Sequence, residues 1–165
     1  MGKKLNASAV NSAAKKVNTM KRFHLTDNQG EIWDIDVNQK MNPEKVIDMV
    51  TNVVKMTARI VEEGIEDFDY EKHWAMLYFI ELLKAYTSIE IPEKETAEET
   101  LLDYLTLFNS LNSLGLIEAI AECFDESARR ETIEMFKNQL IDMSNIIYEE
   151  AEKLKQEVEV TKEAE

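Results

Sequence analysis

Trp74, Ala75, Met76, Leu77, Tyr78, Phe79 and Ile80 follow one another without a charge, and Leu82, Leu83 and Ala85 come soon after. Wound into a helix, this run is apolar around most of its circumference. Such a helix has to be surrounded on most sides, so it belongs at the centre of whatever forms. The segment from about Asp69 to Tyr86 is therefore the expected central helix, and the rest of the chain must wrap it. Only four glycines and two prolines interrupt 165 residues, against usual frequencies of about 7% and 5%. With so few breakers, the wrapping should be helical as well.

Asn42-Pro43-Glu44 starts the helix before it, with an N-cap, a proline at the first helical position and an acid in the first turn. Its expected buried stripe is Val46, Val50, Val53, Ile60 and Val61, widened by Met49, Val54 and Met56, with Gly64 as the stop. Beyond the central helix, Ile89, Ile91 and Pro92 read as an extended segment. Thr96-Ala97-Glu98-Glu99 then has the spacing of a capping box. The helix it opens carries Leu101, Leu102, Leu105 and Phe108. Asn109 to Gly115 reads as a connection, and a short helix follows with Leu116, Ile117, Ile120 and Ala121.

The last helix is expected from about Asp125 to Val158. Its stripe is Ile133, Phe136, Leu140, Met143, Ile147, Ala151, Leu154 and Val158, close to a heptad seam with one skipped step. At 1.5 Å per residue it would be roughly 50 Å long, whereas a compact globule of this size is about 40 Å across. The inner half, to Met143, suits packing within the chain. The outer half, Ile147, Ala151, Leu154 and Val158, has no evident partner in the chain and suits self-association or a partner helix. Residues 159–165 form an acidic tail that should fray.

Residues 21–38 change period. Phe23 and Leu25 alternate with polar residues, as do Trp33, Ile35 and Val37, around the turn Asp27-Asn28-Gln29-Gly30. This is a β-hairpin with one apolar face. Because a lone hairpin is marginal in water, it must lie on the helices or pair with another strand. Its outer edges are expected to stay open to another chain. The fold class is thus mainly α: a bundle of about five helices with an N-terminal hairpin and a long C-terminal helix, forming one domain over 21–158.

Charge is divided unequally. The first 22 residues hold six positive charges, Lys3, Lys4, Lys15, Lys16, Lys21 and Arg22, and no acid, while the remainder holds 13 basic residues against 33 acidic ones. Residues 1–20 read as a flexible basic arm, with Leu5, Val10 and Val17 too few to bury a face. The arm suits an acidic protein partner, or a neighbouring copy's acidic body, before it suits nucleic acid, since it has no aromatic residue for base stacking before Phe23. A tail with incidental lysines would look the same. The acidic body is unsuited to nucleic acid or anionic lipid. The longest apolar run is about a third of a membrane span, no secretory segment opens the chain, and the single cysteine, Cys123, cannot pair internally. These features fit a soluble intracellular protein.

No catalytic motif emerges, and no cofactor or metal is expected. The four glycines are isolated, so there is no phosphate loop. His24 and His73 have no metal-site spacing. Asp34, Asp36 and Asn38 lie at strand spacing with no glycine following, unlike a calcium loop. Glu62, Glu63, Glu66, Asp67, Asp69 and Glu71 read as a solvated connection with an N-cap, and Cys123 as a small core residue.

Two stretches carry a resemblance. Tyr86-Thr87-Ser88-Ile89-Glu90-Ile91-Pro92, then an acidic helix, then Ser113-Leu114-Gly115-Leu116-Ile117-Glu118-Ala119-Ile120, resembles small helical proteins encoded among virion genes of phages and prophages of Gram-positive bacteria. The hairpin Phe23 to Val37 ahead of a helix bundle is similar in outline to phage tail assembly chaperones. The resemblance covers about half the chain, omits the arm and the last helix, and carries over no site residues. It implies a non-enzymatic morphogenesis protein that contacts other virion or assembly proteins in the host cytoplasm or the particle. The alternative is an acidic inhibitor that mimics DNA toward a basic host protein. An enzyme built from scattered acids ranks below both.

Overall fold

The computed structural model describes residues 20–40, 42–65 and 68–142. Strands β1 (Lys21–Thr26) and β2 (Ile32–Val37) precede helices α1 (Pro43–Glu62), α2 (Tyr70–Tyr86), α3 (Ala97–Ser113) and α4 (Leu116–Glu122). A fifth helix, α5, is described over 126–142. The basic arm, the outer seam of the last helix and the acidic tail lie outside the described residues.

The central position of α2 follows from its sequence. Every residue from Met76 to Leu83 is buried, eight in succession, including the acid Glu81. Trp74 and Ala75, at the start of the apolar run, sit at the rim. Asp69 caps the helix through Lys72 N–H, and Thr87 ends it. Helix α1 packs on α2 through Val46, Met49, Val50, Val53, Met56 and Ile60. It closes with Gly64 at φ 67°, where Ile65 N–H reaches Ile60 C=O and Gly64 N–H reaches Val61 C=O. This paired closure is a Schellman motif.

Three expectations need correction. Val61 is 74% exposed: one residue past Ile60 it is rotated by about 100°, which takes it off the buried face. Asn109 to Ser113 is not a connection but the last turn of α3. Its weak helix formers are held because Leu111 and Leu114 pack on the core, a tertiary gain that outweighs local propensity. Leu102, in the same helix, faces outward.

The hairpin is antiparallel with Phe23 opposite Ile35 and Leu25 opposite Trp33. Leu25, Ile35 and Val37 enter the core. Asp27 shapes the turn, its carboxylate accepting from the N–H groups of Gln29 and Glu31 and from Trp33 Nε1, each at 2.9 Å. The Trp33 bond, helped by those backbone donors against the opposing effect of burial, holds the Asp27 carboxyl below its usual range. The free edge of β2, expected above to be open, is partly occupied. Val37 bridges Thr87, and Ser88 N–H donates to Asp36 C=O at 2.9 Å. At the other end Asn28 donates through its N–H and its side-chain amide to the carbonyls of Leu114 and Ser113. The hairpin is thereby stitched to the end of α2 and the end of α3.

Helix α5 runs antiparallel to α2. Thr132 and Ala128 border a small void beside Leu82 and Tyr86, Phe136 meets Tyr78 edge-on at 5.1 Å, and Lys137 Nζ lies 5.2 Å over the Trp74 ring. Phe136 is fully buried, with Ile133 and Leu140 against the same core. The inner half of the predicted seam is thus intramolecular as far as the described residues extend.

Candidate functional site

The densest polar arrangement lies where α1, α2, α3 and the connection 87–96 meet. Glu81 and Lys84 sit three apart on α2, so they share a face of the helix. Lys84 Nζ is 2.8 Å from Glu81 Oε1 and 3.0 Å from Glu93, and it donates to the Tyr104 hydroxyl at 3.2 Å. The second Glu81 oxygen accepts from the Asn52 amide at 2.8 Å. Glu93 also faces Arg59 at 3.7 Å. The Arg59 guanidinium donates to the carbonyls of Lys94 and Glu95. Beyond it, both oxygens of Glu63 accept from Ala97 N–H at 2.7 Å, at the start of α3. Thr96 caps the same turn by accepting from Glu99 N–H.

Burial alone would lower the Lys84 pKa. The hydrogen bonds and charges of Glu81 and Glu93, with the Tyr104 hydroxyl, outweigh it and hold the amine above the usual lysine value. Burial pushes the Tyr104 phenol up against the opposing pull of Lys84. Beside the network, Lys45, Asp48, Met49, Asn52, Glu81, Lys84 and Ala85 line a cleft of about 330 Å³. Lys45 lies 5.0 Å over the Tyr86 ring and donates to the Ala85 carbonyl, so it caps the last turn of α2. Its burial lowers its pKa.

Glu81 and Glu93 favour the charged form of Lys84, and both Glu81 oxygens accept hydrogen bonds. The arrangement is suited to clamping four segments together. Sequence reasoning missed the clamp, although it left a mark: Glu81 is the only charge between Trp74 and Leu83, and Lys84 follows three residues later.

Of the predicted partner-binding residues, Lys21 and Arg22 fall in β1. Arg22 grips Asp36 through two bonds of 2.8 and 3.0 Å, and this bond draws the Asp36 carboxyl below its usual range. Arg22 is therefore partly spent on the hairpin. Lys3, Lys4, Lys15, Lys16, Ile147, Ala151, Leu154 and Val158 lie outside the described residues. His24 is on the polar hairpin face, 2.6 Å from Asp34. His73 stacks on Phe68 and bonds the Asp69 carbonyl. Cys123 is buried, its Sγ 3.3 Å from the Ala119 carbonyl, and burial raises its pKa. In the acidic connection, Asp69 is the expected N-cap, but Glu63 has a second task as the cap of α3.

Among the described residues, no three His, Cys, Asp or Glu side chains are grouped to hold a metal ion. Among those residues, no helix is long and apolar enough to cross a membrane. No family model, curated protein or solved structure matches this chain.

Proposed function

We propose that the chain is a non-enzymatic bacteriophage morphogenesis protein acting through protein–protein contacts, as a head–tail or tail component or as a tail assembly chaperone. The main support is how the described body distributes its groups. Its buried charges, Asp27 in the hairpin turn and Glu81 between the helices, are used within the body, whereas Ile32, Ile47, Val61 and Leu102 are each about half exposed or more. Single exposed apolar residues are ordinary. Ile47 and Val61, however, lie on one stripe of α1, which gives a partner a line to cover. The basic arm and the resemblance of the 86–92 and 113–120 segments to virion-gene proteins point the same way.

Removal of residues 1–20 tests the reading. The body should keep its cooperative melt, since no described core residue is lost, and particle assembly should fail. Normal particles from the truncated chain would overturn it. A second reading, an acidic inhibitor of a basic host nucleic-acid-binding protein, draws support from Glu90, Glu95, Glu98, Glu99 and Asp103, all exposed along 90–103. Capture of such a host protein, released by competing DNA, would favour that reading.

A further inference from the structure

Helix α1 carries two apolar stripes. The first is buried on α2. The second runs Ile47, Thr51, Val54, Ala58 and Val61, at steps of 4, 3, 4 and 3. That is the spacing of a coiled-coil seam, turned by roughly 130° from the buried stripe. Ile47 is 49% and Val61 74% exposed. Ala58 is exposed, and Thr51 and Val54 are half-buried. The Thr51 hydroxyl donates to the Ile47 carbonyl at 2.8 Å, so its donor is satisfied within the helix. Asp48, Lys55 and Glu62 border one side.

The outer half of the seam expected in the last helix, outside the described residues, has the same period. Ile147, Ala151, Leu154 and Val158 are spaced 4, 3 and 4, over the same 11 residues that separate Ile47 from Ala58, about 16 Å of helix. The directions of the elements decide which copy of the seam it can meet. Helix α1 is antiparallel to α2, because Asn42 bonds the Tyr86 hydroxyl and Asn52 bonds Glu81. Helix α5 is antiparallel to α2 as well, so α1 and α5 point the same way. The described α5 ends at Asp142 pointing the same way as α1, and the sequence beyond it holds no glycine or proline to break the helix expected there.

We propose that residues 147–158 of one copy dock on the Ile47–Val61 stripe of α1 in a second copy. The two surfaces differ, so the contact is head-to-tail between copies of this chain. This deepens the assembly reading above and rests on it. Its failure would leave that reading to the arm truncation, because contacts with other proteins do not require this stripe.

The experiment is sedimentation of the full chain over an about 100-fold range of concentration, alongside V61E and L154E. The parent should self-associate, and each variant should lose association by about tenfold or more. An equimolar mixture should form a one-to-one complex and nothing larger, because V61E keeps the docking segment and L154E keeps the seam. The chain's net charge of −14 makes copies repel, and salt screens that repulsion, so association should strengthen with salt. A basic-arm contact would weaken instead. A parent that stays monomeric, association untouched by V61E, a mixture that forms no complex, or loss of association on removing residues 1–20 would each overturn the proposal. Val61 is exposed, so V61E should melt as the parent does.

Discussion

Two ion pairs in this molecule share nearly the same geometry and have opposite surroundings. Glu81 and Lys84 meet at 2.8 Å with side chains only 5% and 20% exposed, and Arg22 and Asp36 meet at 2.8 Å with side chains 62% and 32% exposed. Water solvates the hairpin pair whether or not it forms, so its net worth is small. The α2 pair has given up its hydration, and each partner depends on the other to offset that loss. Similar bonds therefore have different jobs: one trims a surface, the other fixes the meeting point of four segments.

The largest expected effect comes from breaking the buried pair on one side. Glu81→Ala leaves Lys84 charged with only Glu93 and the Tyr104 hydroxyl as partners, and should cost about 3 kcal/mol in a urea melt. The double variant Glu81→Leu with Lys84→Met removes both charges and should recover about half of that. A double variant no better than the single one would show that packing, not charge, sets the cost. Next, Glu63→Ala removes the carboxylate from the first N–H groups of α3 and should cost about 1 kcal/mol, with Glu63→Gln milder.

The smallest effect belongs to the hairpin. Arg22→Ala should move the denaturation midpoint less than Glu63→Ala does, and its effect should depend on pH. Asp36 is held below its usual pKa by Arg22, so the pair's contribution is present above the unfolded carboxylate range, about 3.9, and is lost as pH falls through the folded value. The melts of parent and Arg22→Ala should converge in acid. A gap that stayed constant with pH would mean that Arg22 acts through packing alone. For Lys84 the sign is opposite: a raised amine contributes fully below about 10.4 and loses its contribution only as pH rises through its folded value.

The elements were legible where local chemistry and burial agree. The Trp74–Ile80 run fixed the central helix, Asn42-Pro43-Glu44 and Asp69 fixed helix starts, and the alternation of Phe23, Leu25, Trp33, Ile35 and Val37 fixed the hairpin. Legibility failed where two readings differ only in three dimensions. Ile60 and Val61 are both apolar neighbours, and only the direction of packing says which turns inward. Glu63 looks like one of several solvated acids until the start of α3 is brought against it. Glu81 and Lys84 look like an ordinary surface pair until their helix is found to be enclosed. The occupied edge at Val37 could not be read, because Thr87 lies 50 residues away.

That distance matters during synthesis. The two strands emerge early, but the groups that seat them, Thr87, Ser88, Ser113 and Leu114, come much later, with 85 residues between Asn28 and Ser113. A two-stranded ribbon without a platform is barely stable, and closing so long a loop delays its docking. Among the described elements, the hairpin is therefore the first made and among the last to settle, and until α3 is complete its apolar face remains exposed to the crowded surroundings of a nascent chain.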